Sequence, residues 1–412
     1  MSFFYGFCMI VAVGYVGFRK RRPDLFTLAI ASCAYYSSTL ASGVIYDPDS
    51  HQYLKIHDHI YWFYAFLLML MFLGVVLNDR FFVQRTTKIV RAKFLLEFNL
   101  LLLSTIFLII FIQSPRAFFP SEVGGFSAAS YGAIYSVYWV SAITYGIFSV
   151  KTKSFGHLAL AVLFLASTLL AGSRAYLTTG FLAMLLVFFS MKEGFVIFGS
   201  VRRILFLIFG FAFLIIFKNV YQYILLLDFA LIADAAANWE LVLFRLTRGG
   251  ESIVLLNFQR AIEFSEFGFG SFVDLVLLRI IPFVSDLYIA VLQIRPDTLS
   301  DLLNERYYTT VNYGMASSMW GLAYYVAGPL GTLLAAIWFV SAIFILNRLL
   351  FSGGILAPHL LAGSTLLAFY VHRQEIGAVL FPFYMGLFIY FVFRITQAAL
   401  SEALSARKIV DE

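Results

Sequence analysis

The chain alternates long apolar runs with short polar breaks. Runs near the length that a helix needs to cross a bilayer fall at 2–18, 25–46, 59–77, 94–112, 131–150, 158–171, 175–190, 203–220, 318–346, 355–371 and 378–397. They predict about eleven membrane-spanning helices. The 158–171 and 175–190 runs are short, and the Gly172-Ser173-Arg174 break between them predicts a tight helical hairpin. The rhythm fails over 221–317. Stretches there such as YILLLDFALIA and SFVDLVLLRIIPF are too short or too charged to span, and they predict amphipathic helices lying on the bilayer. The expected fold is all-α, a polytopic membrane helical bundle. Residues 1–220 would hold the first eight spans, 221–317 a large periplasmic loop, and 318–412 the last three spans with a tail.

Composition agrees with the pattern. Of 412 residues, 61% are hydrophobic and 13% charged, against about half and a quarter in a soluble domain. Charge then orients the helices. Basic residues crowd alternate loops: Arg19-Lys20-Arg21-Arg22, then Arg80 to Lys93, then Lys151 and Lys153, then Lys192, Arg202 and Arg203, then Arg348. The intervening short loops hold one each: Lys55, Arg116, Arg174 and Arg373. The positive-inside rule places the crowded loops and the C-terminus in the cytoplasm and the N-terminus outside. Because the first charges follow the 3–18 run, this segment does not read as a signal peptide. The net charge of +6 belongs to those loops and implies no nucleic-acid partner. Cys8 and Cys33 both lie in apolar runs, so neither a disulfide framework nor a metal-ligand spacing is expected.

The solitary external arginines are the first chemical candidates, since a guanidinium offers a planar fork of donors that fits phosphate. Arg174, Arg248 and Arg373 each stand beside an apolar run, with Arg306 a fourth. Together they could hold a diphosphate; singly, each could equally snorkel to headgroups or pair with a carboxylate. The segment Val371-His372-Arg373-Gln374-Glu375-Ile376-Gly377 sets a possible base, His372 or Glu375, beside such a fork; a solvated hairpin tip would look similar. Leu246-Thr247-Arg248-Gly249-Gly250-Glu251 offers exposed turn amides for an anion and Glu251 as another base. Asn312, Ser317 and Tyr324 suit sugar binding at a membrane boundary, and equally an aromatic belt and close helix packing. Asp47-Pro48-Asp49 reads first as a solvated turn and second as a divalent-cation site.

These features resemble the Wzy-type polymerases of oligosaccharide repeat units. The residues that carry the resemblance are Gly172-Ser173-Arg174-Ala175, Thr247-Arg248 with Glu251, Asn312-Tyr313-Gly314 with Ala316-Ser317, and Arg373-Gln374-Glu375-Ile376-Gly377, over roughly 158–395. The resemblance implies a multi-pass protein of the bacterial inner membrane. It would polymerise undecaprenyl-diphosphate-linked oligosaccharides at the periplasmic face, with no metal or other cofactor, beside a chain-length regulator and in contact with membrane lipid. Arg174, Arg248, Arg373 and Arg306 would hold the diphosphate, Asn312, Ser317 and Tyr324 the sugar, and Glu375, His372 or Glu251 would be the base. The open alternatives are an O-antigen ligase, a polyprenyl-phosphate-sugar transferase using Asp47 and Asp49, and a lipid-linked sugar flippase.

Overall fold

A computed structural model describes residues 1–19, 24–81, 92–113, 132–170, 174–191, 196–205, 208–209, 223, 228–238, 240, 253–265, 269–281, 284–293, 297–308, 316–352 and 354–410. These are almost wholly helical; the strands described form one two-stranded hairpin. Four described helices are long and apolar enough to cross a membrane: Asp58–Phe81, Phe94–Gln113, Met319–Phe351 and Ile376–Glu402. Five shorter apolar helices of 10–17 residues accompany them. The coarse expectation of an all-α chain rich in apolar helices is met, while a count of eleven spans goes beyond what these helices carry. The 203–220 run lies mostly outside the described residues.

The chain divides into two interleaved compact units. Unit 1 draws on Met1–Gln84, Lys192–Arg348 and Ser364–Leu380, and unit 2 on Arg85–Met191, Leu349–Gly363 and Phe381–Glu412. Unit 2 contains α4 (Ala92–Gln113), α5 (Gly132–Thr152), α6 (Phe155–Leu170) and α7 (Arg174–Ser190) packed on one another. Its α6 and α7 are the two helices expected of the short hairpin.

In unit 1, α1 (Ser2–Phe18), α2 (Leu25–Tyr36) and α3 (Asp58–Phe81) pack together. Asp24 starts α2 through a capping box: its carboxylate accepts from the Thr27 amide, and the Thr27 hydroxyl accepts from the Asp24 amide. The run expected to span 25–46 instead stops at Tyr36. A 3-10 turn, Ser38–Ala41, leads into β1 (Val44–Asp47), which pairs antiparallel with β2 (Gln52–Lys55). The apolar run continues through Val44 and Ile45, but these β-branched residues favour a strand.

The described part of 221–317 forms short helices: Phe229–Ala237 capped by Asp228, Ile253–Glu263, a helix with a π turn over Phe269–Ile280, Val284–Leu292 and Leu299–Tyr307. Ile253–Glu263 is no surface helix, since every residue from Val254 to Ala261 is buried. Leu299–Tyr307 opens with a second capping box, Thr298 with Asp301. Leu299 and Leu303 join Ala261, Phe264, Leu275, Leu322, Tyr325 and Val326 in one apolar core.

The Met319–Phe351 helix is broken at Ala327 (φ −140°) and Gly328 (φ 60°, ψ −150°), just before Pro329. Gly328 takes a backbone that L side chains rarely adopt, and Pro329 is tolerated because it opens the second segment. The segments differ in surroundings. Met319, Trp320, Leu322, Tyr325 and Val326 are buried before the break, whereas Leu330, Leu334, Ile337 and Ile345 form an exposed stripe after it.

Candidate functional site

The 371–377 segment is a tight turn between two helices of the C-terminal region. The amides of Arg373 and Gln374 both donate to the Tyr370 carbonyl at 2.8 Å, and the Glu375 carbonyl accepts from Val379 to begin the next helix. Gly377 permits a close approach there, since a Cβ would stand 3.0 Å from Cβ of Arg279 and 3.3 Å from its carbonyl oxygen.

Glu375 turns inward. Its Oε1 accepts from the Ser317 hydroxyl at 2.5 Å and from the Ser300 amide at 3.0 Å. Ser300 lies in the first turn of Leu299–Tyr307, where free amides and the helix dipole favour a carboxylate. The residue is partly exposed along its length, but its carboxyl end is enclosed. Burial therefore raises the Glu375 pKa above 4.5, opposed by the Ser317 and Ser300 hydrogen bonds, the Arg279 charge and the Leu299 amide. The result is a carboxyl group held by neutral donors, with a cation near and a proton bound more readily than in water.

His372 faces the other way. The Trp320 indole N–H, which can only donate, gives its proton to His372 Nδ1 at 2.9 Å. The remaining proton must then sit on Nε2. Tyr64, Trp320 and Phe339 rings surround the imidazole. Burial lowers its pKa to about 3, offset in part by the Ala29 backbone. His372 thus has no free lone pair for a substrate proton, and its place is that of a buried strut under the turn. The Met319 amide, bonded to the Val371 carbonyl at 3.3 Å, ties the same turn to the broken helix.

The other sequence candidates fall as follows. Ser317 is buried against Glu375. Arg373 is partly exposed, and its charge reaches the Tyr36 phenol. Tyr324 lies edge-on to Phe258, 6.4 Å between ring centres. Arg306 is exposed, its guanidinium 5.1 Å from the centre of the Phe264 ring. Arg248, Glu251 and Asn312 lie outside the described residues. Arg174 begins α7 in unit 2, with its side chain outside the described set.

Sequence reading missed a second cluster. Arg260 is buried in the middle of Ile253–Glu263, where its Nη2 donates to Asp47 Oδ2 at 2.9 Å. Its guanidinium lies 4.7 Å from the ring centres of both Tyr307 and Tyr308. The Tyr308 hydroxyl donates to Asn257, and Asn257 Nδ2 donates to the Ala316 carbonyl at 2.7 Å. One chain of polar contacts and adjoining residues therefore runs from Asp47 through Arg260, Tyr308, Asn257 and Ser317 to Glu375. Asp47 is neither a solvated turn residue nor a free metal ligand: it is buried, and it also accepts from Ser50 and the Asp49 amide. The available signal was an arginine inside the apolar stretch IVLLNFQRAIE, a costly placement unless it is paired. No family model, curated protein or solved structure matches this chain.

Proposed function

We propose that the chain is a glycosyltransferase that joins oligosaccharide units carried on a lipid diphosphate, of the repeat-unit polymerase kind, with Glu375 as general base. The observation that carries this reading is the enclosed Glu375 carboxyl, raised in pKa, held by Ser317 and Ser300 and two residues from Arg373. A base whose pKa is tuned upward suits proton abstraction near neutral pH. An acceptor hydroxyl oxygen would attack the anomeric carbon of the growing chain as the bond from that carbon to the diphosphate oxygen breaks. The hydroxyl proton would pass to the Glu375 carboxylate. The leaving diphosphate needs positive charge, for which Arg373, two residues from Glu375, is the candidate. Undecaprenyl diphosphate is the proposed carrier, the bacterial inner membrane the proposed location and a chain-length regulator the proposed partner.

The test is polymer formation by the full chain in lipid nanodiscs, using a synthetic undecaprenyl-diphosphate tetrasaccharide. Glu375→Gln keeps an acceptor for Ser317 and Ser300 but cannot take a proton, so turnover should fall about 10²- to 10⁴-fold with the melting temperature held. Arg373→Lys, which keeps charge and loses the fork, should also slow turnover. Unchanged polymer from Glu375→Gln, or none from the wild-type chain, would sink the reading.

A further inference from the structure

The hairpin 44–55 presents an outward aromatic pair, Tyr46 and Tyr53. Ile45 and Asp47 point inward and are buried, so Val44 and Tyr46 point outward by strand alternation. Tyr46 is paired directly with Tyr53 across the strands. Their ring centres are 5.6 Å apart at 63°, and Tyr53 is 49% exposed. The Tyr46 hydroxyl meets His51 Nδ1 at 2.9 Å, and His51 holds φ at 54° at the end of the turn. The rim is polar: Ser50, His51 and Lys55 are exposed.

The platform is also rigid. Asp47 is fixed by Arg260, the His57 amide donates to Gln259 Oε1 at 3.1 Å, and the Ile56 amide donates to the Gly43 carbonyl at 3.1 Å. Two isolated strands would be marginal in water, so the two anchors to Ile253–Glu263, at Arg260 and Gln259, are what hold the rings in place. That same helix leads through Asn257 to Ala316 and the Glu375 site.

An exposed ring beside a half-buried one, at a fixed tilt and edged by imidazole, hydroxyl and ammonium groups, matches a sugar. The apolar C–H face of a pyranose packs on an aromatic ring, and its hydroxyls need donors and acceptors at the ring's edge. We infer that the Tyr46–Tyr53 face of the hairpin is a saccharide-binding platform that takes sugar residues of the chain remote from the reacting bond. This rests on the proposed transferase reading, in which binding energy from remote parts of a substrate is available to the chemistry.

The experiment is capture of soluble oligosaccharides, free of lipid and phosphate, from a printed array by the full chain in nanodiscs. The wild-type chain should retain at least one saccharide. Tyr46→Ala with Tyr53→Ala should weaken that binding about ten-fold or more, while Tyr46→Phe with Tyr53→Phe, which keeps both rings, should stay within about three-fold. Thermal melting of each variant checks that the hairpin change leaves the fold intact. Capture of no saccharide, or equal capture by the alanine pair, overturns the proposal. So does quenching of Tyr53→Trp emission by brominated lipid above the wild-type background, which would make the rings a membrane anchor. Since the assay involves neither diphosphate nor turnover, an inactive Glu375→Gln protein that still binds sugar would separate this proposal from the transferase reading.

Discussion

Helix α3, 24 residues long and so about 36 Å from end to end, carries a buried polar network at each end. At the Asn78–Asp79 end, Arg19 Nη2 donates to Asp24 at 2.6 Å and to Asp79 at 2.9 Å. Asn78 donates to Asp24, Asn347 donates to Asn78, and Asn347 accepts from the Leu25 amide. At the Asp58 end lies the hairpin, with Asp47 on Arg260 and the contacts that lead to Glu375. In the first network one guanidinium serves both carboxylates, and Asp24 is also spent on capping α2. The second is paired at Asp47, whereas Glu375 is held by a hydroxyl and two amides, with the Arg279 charge near. A carboxylate spent on a guanidinium and a helix cap serves the fold. A carboxyl kept from a direct ion pair retains a proton equilibrium that chemistry can use.

The largest expected effect tests the first network. Arg19→Ala would leave Asp24 and Asp79 without their cation, a loss of about 5 kcal/mol, at the upper end for a broken buried pair. Chemical unfolding of the chain in detergent should report it. A loss of under about 1 kcal/mol, the range of an exposed pair, would show that Arg19 does not hold the first network as described.

A smaller effect is expected where the second network begins. Asp47→Ala strands Arg260, but stacking on Tyr307 and Tyr308 keeps part of its stabilisation. We expect about 3 kcal/mol, with hydrogen exchange rising first in 44–55, where the anchor is lost. Exchange that rises equally in α1 and α2 would mean that the two ends of α3 are one cooperative network, and the contrast between them would fail.

Most of the helices were legible as apolar runs because burial and lipid contact demand the same residues. The error at 25–46 came from apolarity alone, which does not separate a helix from a strand in a short run. The 371–377 turn was legible as a motif, and Glu375 within it as a candidate. Its partners were not: Ser317 and Ser300 lie 58 and 75 positions away, and Asp47 lies 213 from Arg260. Such contacts are set by how helices pack, which local pattern does not encode. His372 looked like a base only because the sequence cannot show that Trp320 occupies its lone pair.

The finest test concerns what holds Glu375. The Ser317 hydrogen bond lowers its pKa against the larger effect of burial, so Ser317→Ala should raise that pKa further. A base works when deprotonated, so the rise of transferase rate with pH should move to higher pH in the variant, with the plateau reached later. Stability should follow with the opposite sense. A carboxyl whose folded pKa lies above its ordinary 4.5 gives stability that is present below that value and lost as pH rises through the folded pKa. In Ser317→Ala this decline should extend to higher pH, and in Glu375→Gln it should be absent. If the rate profile of Ser317→Ala keeps its midpoint, either Glu375 is not the titrating base or Ser317 does not hold it in the working protein. The Glu375→Gln stability profile then separates these. A decline with pH that survives in Glu375→Gln belongs to another group, whereas one that vanishes assigns it to Glu375 and leaves Ser317 as the contact in error.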